Sequence, residues 1–141
     1  MRKQIVNLDA STGQIMDGIV AYIQPRRQNA FEGWVAVAQT ALQELAKSHL
    51  TGTDFRVLMA CLARLEWKNM LPMHQTAMAQ ELSLSPSHFN RSLKKLIDFG
   101  VIEKQVDSGV RLYRLNPHFG WKGSAKHHRE AVSGRLRLHQ P

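Results

Sequence analysis

Apolar positions along this chain change their period several times, and each change marks the edge of a predicted element. Within residues 3–23, KQIVNL and GIVAYI are short β-branched runs separated by the turn-forming DASTG, and they predict an antiparallel hairpin. A lone hairpin is only marginally stable in water, so it must pack on the body or pair with another chain. The polar, basic QPRRQN follows as a connector. Over residues 31–48, Trp34, Val37, Ala38, Ala41, Leu42 and Leu45 recur at helical spacing and predict a long scaffold helix with Trp34 on its buried stripe. Gly52 breaks the pattern, and Thr51 or Thr53 can cap the next helix. That helix is expected from about residue 54 to 66 or 67, burying Phe55, Leu58, Met59, Leu62 and Leu65 and leaving Arg56 and Arg64 outside. NMLPM, residues 69–73, contains Pro and is too short for a helix, so it reads as an extended link or edge strand.

Residues 75–100, QTAMAQELSLSPSHFNRSLKKLIDFG, read as two helices joined by a tight turn. In the first, about 75–82, Ala77, Met78 and Leu82 supply an inner face, and Ala79 is small where the helices must approach closely. Leu84 is expected to be buried in the turn, with Ser83 at a position where many such turns carry Gly. Ser85 can accept a hydrogen bond from an unpaired amide of the second helix, and Pro86 at its first position loses no needed donor. The helix runs to Phe99, and Gly100 can close it in the left-handed conformation. Phe89, Leu93, Leu96 and Ile97 line one face; Ser87, His88, Asn90, Arg91, Lys94, Lys95 and Asp98 line the other. VIEKQV and VRLYRL then flank DSG, which predicts a second hairpin. The expected fold class is therefore α+β: a winged helix-turn-helix with an N-terminal β-hairpin and long helix and a basic C-terminal tail. The expected divisions are 1–30 for the hairpin and linker, 31–123 for the winged-helix domain, and 124–141 for the tail. That last stretch lacks a sustained apolar face, and Lys126, Arg129, Arg135 and Arg137 outweigh Glu130, so a flexible arm adding sequence-independent DNA affinity is expected.

Composition narrows the function classes. A chain of 141 residues with 43% hydrophobic content supports one core with appendages. A formal net charge of +8 and a pI near 10.2 draw it towards polyanions, nucleic acid first and an anionic membrane surface second. No apolar run approaches the roughly 20 residues that span a bilayer. MRKQ leads into a strand-like segment rather than a signal-peptide core, so a cytoplasmic location without membrane insertion is expected. Cys61 is the only cysteine, which precludes an intramolecular disulfide, and its apolar helical setting indicates a packed thiol. His127 and His128, with His118, form no metal set, because adjacent histidines cannot readily face one ion and no Cys or carboxylate group completes the site. No Gly-rich phosphate loop, Ser-His-Asp order or paired carboxylates occur, and Glu44, Asp54, Glu66 and Glu81 are expected on helix exteriors or caps. Neither catalysis nor a cofactor is expected.

The polar face of the second helix carries the candidate chemistry. Asn90 can pair bidentately with adenine and Arg91 with guanine, while Ser85, Ser87 and His88 can reach base edges or phosphates from the N-terminal end. Lys94 and Lys95, further along, suit phosphate neutralisation. On the second hairpin, Lys104, Arg111 and Arg114 could touch backbone phosphates or reach into the minor groove. The same polar face on an ordinary amphipathic helix would be simply solvated; the preceding short helix, the Ser-Pro start and the basic composition favour double-stranded DNA. A homodimer would place two such helices on a palindromic or repeated site.

The order FRVL, LSPSHFNRSLKKLIDFGVIEK and YRLNPHFGWKG resembles the winged-helix replication proteins of bacterial plasmids, the RepL family, over roughly residues 50–123. The helix-turn-helix is shared by many regulators; YRLNP followed by GWKG is the more particular signature. The resemblance implies binding to origin or operator DNA and a part in plasmid replication or its control. A transcriptional repressor bound to an operator would use the same face. A protein-interaction module, the remaining alternative, would carry more aromatic and aliphatic side chains on it.

Overall fold

The computed structural model describes residues 3–5, 21–23 and 31–138, and the chain divides into two units, Met1–Glu32 and Gly33–Pro141. In the first unit β1 (Lys3–Ile5) and β2 (Ala21–Ile23) pair antiparallel, Lys3 opposite Ile23 and Ile5 opposite Ala21, as expected for the two ends of the hairpin. The turn expected near Gly13 and the basic connector lie outside the described residues.

The second unit is mixed α+β, with five helices and two small antiparallel sheets among its described residues. Its first part departs from the expected long helix. Ala36–Val37 form β3, antiparallel to β6 (Gly120–Trp121), and only Gln39–Ala46 form a helix, α1. The WVAV run that matched a helical stripe is also a β-branched and aromatic run. Its pairing is secured by the Ala38 amide, which donates to the Phe119 carbonyl at 2.8 Å. Gly120 is required there: a Cβ would lie 2.7 Å from the Ala36 carbonyl oxygen. Trp34 is consequently 52% exposed rather than buried, and of α1 only Leu45 is buried.

α2 (Gly52–Ala63) starts on a capping box, in which the Asp54 amide donates to the Thr51 hydroxyl at 3.3 Å and the Thr51 amide to the Asp54 carboxylate at 2.8 Å. Val57, Leu58 and Cys61 are buried, whereas Met59, expected on the inner face, is exposed. The helix stops short of the expected 66 or 67 because the chain reverses in a 3-10 turn over Trp67–Asn69, where Lys68 and Asn69 take positive φ of 58° and 62°. Asn69 is fully buried and its amide group is completely used. Nδ2 donates to the carbonyls of Leu115 (3.0 Å) and Gly120 (2.8 Å), and Oδ1 accepts from the Lys122 amide (2.8 Å). The extended link beyond it pairs as anticipated, with Met70 bridging Arg114 and the Leu71 amide donating to the Tyr113 carbonyl.

α3 (Gln75–Glu81) buries Met78 and Ala79, while Ala77 faces solvent. Ser83 adopts φ 55°, so the turn does take the left-handed conformation for which Gly is the easier residue. α4 (Pro86–Phe99) is capped by Ser85, whose hydroxyl accepts from the His88 amide at 3.2 Å, and closes on Gly100 at φ 95°. Phe89, Leu93 and Leu96 pack into the core with α2 and α3. β4 (Ile102–Asp107) and β5 (Val110–Leu115) form the second hairpin, joined by Ser108 and Gly109 with both φ positive, the signature of a type I′ turn.

The C-terminal stretch expected to be a flexible tail is helical, α5 (Ala125–Leu138). Ser124 caps it, accepting from the His127 amide at 3.3 Å, and the Trp121 indole donates to the Ser124 carbonyl at 3.0 Å. His128 stacks on Trp121 with ring centroids 5.2 Å apart and places a ring nitrogen 2.8 Å from the Pro117 carbonyl. The contact that docks the helix is thus made by a histidine that a hydrophobic pattern counts as polar. Among the described residues no helix is long and apolar enough to cross a membrane, and no group of acidic, Cys and His side chains could hold a metal.

Candidate nucleic-acid interface

Two local rules set the geometry of the polar surface on α4 and the hairpin after it. On a helix, residues three and four apart share a side, so Ser87, Arg91, Lys94 and Asp98 make one stripe. Asn90 flanks it towards the hairpin, and His88, Ser92 and Lys95 flank it towards α2. On the hairpin, cross-strand partners share a face. The pairs Lys104–Tyr113 and Val106–Arg111 therefore lie on one face, and Glu103–Arg114 and Gln105–Leu112 on the other.

A cleft of about 490 Å³ opens between α4 and the first of those hairpin faces. Asn90, Arg91, Lys94 and Asp98 line it from α4, Lys104 and Arg111 from the hairpin, and Gln75 and Tyr113 also border it. Five of the ten residues picked out in the sequence as DNA contacts, Asn90, Arg91, Lys94, Lys104 and Arg111, are thus brought to one place. All five side chains are exposed, and none has a hydrogen-bonding or ion-pair partner among the described residues. A cation without a protein partner keeps its full capacity for an external anion.

The other five are placed differently. Ser85 is occupied as the helix cap, its hydroxyl 3.4 Å from that of Ser87, and Ser87 and His88 stand exposed in the first turn. Lys95 turns towards α2, with Nζ 3.3 Å from the Asp54 carboxylate. Arg114 lies on the hairpin face away from the cleft, where its Nε donates to Glu103 at 2.9 Å. Arg56 and Arg64, expected merely outside, brace α3: Arg56 donates to the Leu82 carbonyl at 2.9 Å, and Arg64 pairs with Glu81.

The sequence reading missed the polar residues beneath the surface. Asp54, expected on a helix exterior or cap, does cap α2 but is only 1% exposed, and Ser92, 2% exposed, donates to it at 2.7 Å. Burial pushes the Asp54 carboxyl up, but hydrogen bonds from Ser92 and Thr51 and the Lys95 ammonium outweigh it and hold it below the ordinary carboxylate value. The available signal was the Thr51–Asp54 capping-box spacing; nothing local announced Ser92 as its partner across 38 residues. Gln75 and Tyr113 were also overlooked at the cleft, where the Gln75 amide reaches the Tyr113 hydroxyl at 3.4 Å. Cys61 is a buried thiol, pushed up to about 12 by burial with a small opposing effect of Arg64, and it has no place at this surface.

The fold and cleft define a small α+β protein with a polar, cation-rich groove between a helix and a β-hairpin. Neither a scan against protein-family models nor a search of curated proteins finds a match to the chain.

Proposed function

We propose that residues 33–123 form a winged helix and that the protein binds double-stranded DNA in a sequence-specific manner without catalysis. α4 is the recognition helix and the β4–β5 hairpin the wing. The observation that carries this reading is the cleft in which Asn90, Arg91, Lys94, Lys104 and Arg111 converge without partners among the described residues, on a chain of net charge +8. Asn90 and Arg91 have the donor and acceptor geometry for adenine and guanine edges in the major groove. Lys94, Lys104 and Arg111 supply the phosphate contacts that fix register. A homodimer would present two copies of α4 to half-sites about one helical turn apart. The likeness of YRLNPHFGWKG and the preceding segment to plasmid replication proteins supports origin DNA as the target, and thus a role in replication initiation or its control.

Selection from a random duplex library tests the reading directly. Enrichment of a repeated or palindromic motif is the expected result; a pool no different from its starting composition would refute sequence-specific DNA binding. Mapping the enriched motif then separates roles, since iterated copies at an origin support replication and a single copy over a promoter supports repression.

A further inference from the structure

The structure treats the cations of α4 unequally. Arg91 and Lys94 face the cleft with no partner among the described residues, whereas Lys95, one residue on, has Nζ 3.3 Å from Oδ2 of Asp54 although its side chain is 53% exposed. The carboxylate is itself held rigidly, accepting from the Thr51 amide at 2.8 Å and the Ser92 hydroxyl at 2.7 Å at the start of α2. An exposed ion pair ordinarily contributes little, because both side chains must be immobilised. Here the acidic partner is already fixed and 1% exposed, so only the lysine remains to be ordered.

We infer that Asp54 is a positioning residue for the DNA surface: through Ser92 it fixes the rotation of α4, and through Lys95 it withholds a cation from the phosphate backbone. This rests on the DNA-binding reading above. Turning α4 by one residue, roughly 100°, would carry Ser92 and Lys95 away from Asp54 and leave a buried carboxylate poorly paired, which is costly. Asn90, Arg91 and Lys94 are therefore presented in one orientation. A lysine free to reach phosphate would strengthen binding to every sequence alike, because phosphate contacts carry no base information. Tethering Lys95 to α2 removes that contribution and raises the share of affinity that depends on sequence.

The test measures binding of the full chain to the selected duplex and to a scrambled duplex by fluorescence anisotropy across salt concentrations. Wild type is compared with Asp54→Asn, Ser92→Ala, Lys95→Ala and the Asp54→Asn/Lys95→Ala double variant, each checked for folding by circular dichroism. Releasing Lys95 in Asp54→Asn should steepen the salt dependence on scrambled duplex by about 0.9 in log–log slope and tighten that binding about tenfold near 0.1 M salt. The double variant should lose both changes. Lys95→Ala alone should leave the wild-type slope unaltered, and Ser92→Ala should reduce discrimination without moving the slope. The slope is the readout that a merely structural Asp54 would not move. A wild-type slope that flattens in Lys95→Ala shows Lys95 already on phosphate and overturns the inference, and this variant decides the matter if Asp54→Asn fails to fold. An unchanged slope in folded Asp54→Asn also overturns it. Failure of the wild type to bind either duplex overturns the DNA-binding reading instead.

Discussion

Replacing Asn69 with Ala should cost about 4 kcal/mol of folding stability. The side chain makes three hydrogen bonds in a fully buried position, to the Leu115 and Gly120 carbonyls and from the Lys122 amide. At about 1 kcal/mol net for each bond, their loss accounts for roughly 3 kcal/mol. The residue also sits at φ 62°, where an alanine Cβ adds about 1 kcal/mol or slightly more. Asn69→Gly removes the same three bonds but not the backbone preference, so it should cost about 3 kcal/mol and be the milder change although it deletes more atoms. Urea denaturation followed by tryptophan fluorescence gives both values, provided the m-values match wild type. Either substitution costing less than about 1 kcal/mol would refute the assignment of Asn69 as the tie between β5, β6 and the 3-10 turn. Alanine proving milder than glycine would refute the backbone part of the argument. Against a total of about 5–15 kcal/mol for a typical domain, the predicted loss is large enough to populate unfolded chain at physiological temperature.

Asn90→Ala and Arg91→Ala should each reduce discrimination between the selected duplex and a scrambled one by about 1–3 kcal/mol; unchanged selectivity in titrations of both duplexes would remove that residue from base readout. The Cys61 thiol, buried and pushed up to about 12, should react with a disulfide reagent at pH 8 only as fast as the protein opens, so labelling that is rapid in native buffer would contradict its packing. Asp54 has its native carboxyl held below the ordinary 3.8, so its pairing adds stability that is complete above that value and lost as pH falls through the lower native one. Asp54→Asn should accordingly flatten the acid limb of the stability–pH curve below about pH 4 relative to wild type, as followed by thermal melts.

The elements read most clearly from sequence were those whose ends carry their own chemistry. Ser85, Pro86 and Gly100 bound α4 by capping, fixed φ and left-handed closure, all local effects, and the helix appears where they put it. Asp107, Ser108 and Gly109 specify the hairpin turn in the same way. Misreadings occurred where the deciding partner was far along the chain. Ala36 and Val37 are strand because Trp121 and Gly120 pair with them, 85 residues apart for Ala36–Trp121 and 83 for Val37–Gly120. No periodicity within 31–48 contains that information. α5 was hidden for a related reason: its docking depends on His128 lying flat on Trp121, a use of the ring that a polar–apolar alphabet does not represent.

The candidate site shows the same division between local and distant causes. The polar face of α4 was legible from helical spacing, because every member lies within one element. Which of its cations are free was not, since Lys94 and Lys95 are indistinguishable in composition and differ only in what faces them. Lys95 meets Asp54, 41 residues earlier, and Lys94 meets an open cleft. Likewise Arg111 and Arg114 stand on one strand, yet an odd separation in a pleated strand sends them to opposite faces, one to the cleft and one to Glu103. Period-2 alternation would have separated those two arginines from sequence alone. It could not have said which face met α4, because that depends on the buried side of the hairpin, set by Ile102 and Leu115 at its base. Charge counting therefore gives only the excess of +8, whereas the pairing of charges decides which cations are left exposed without a partner among the described residues.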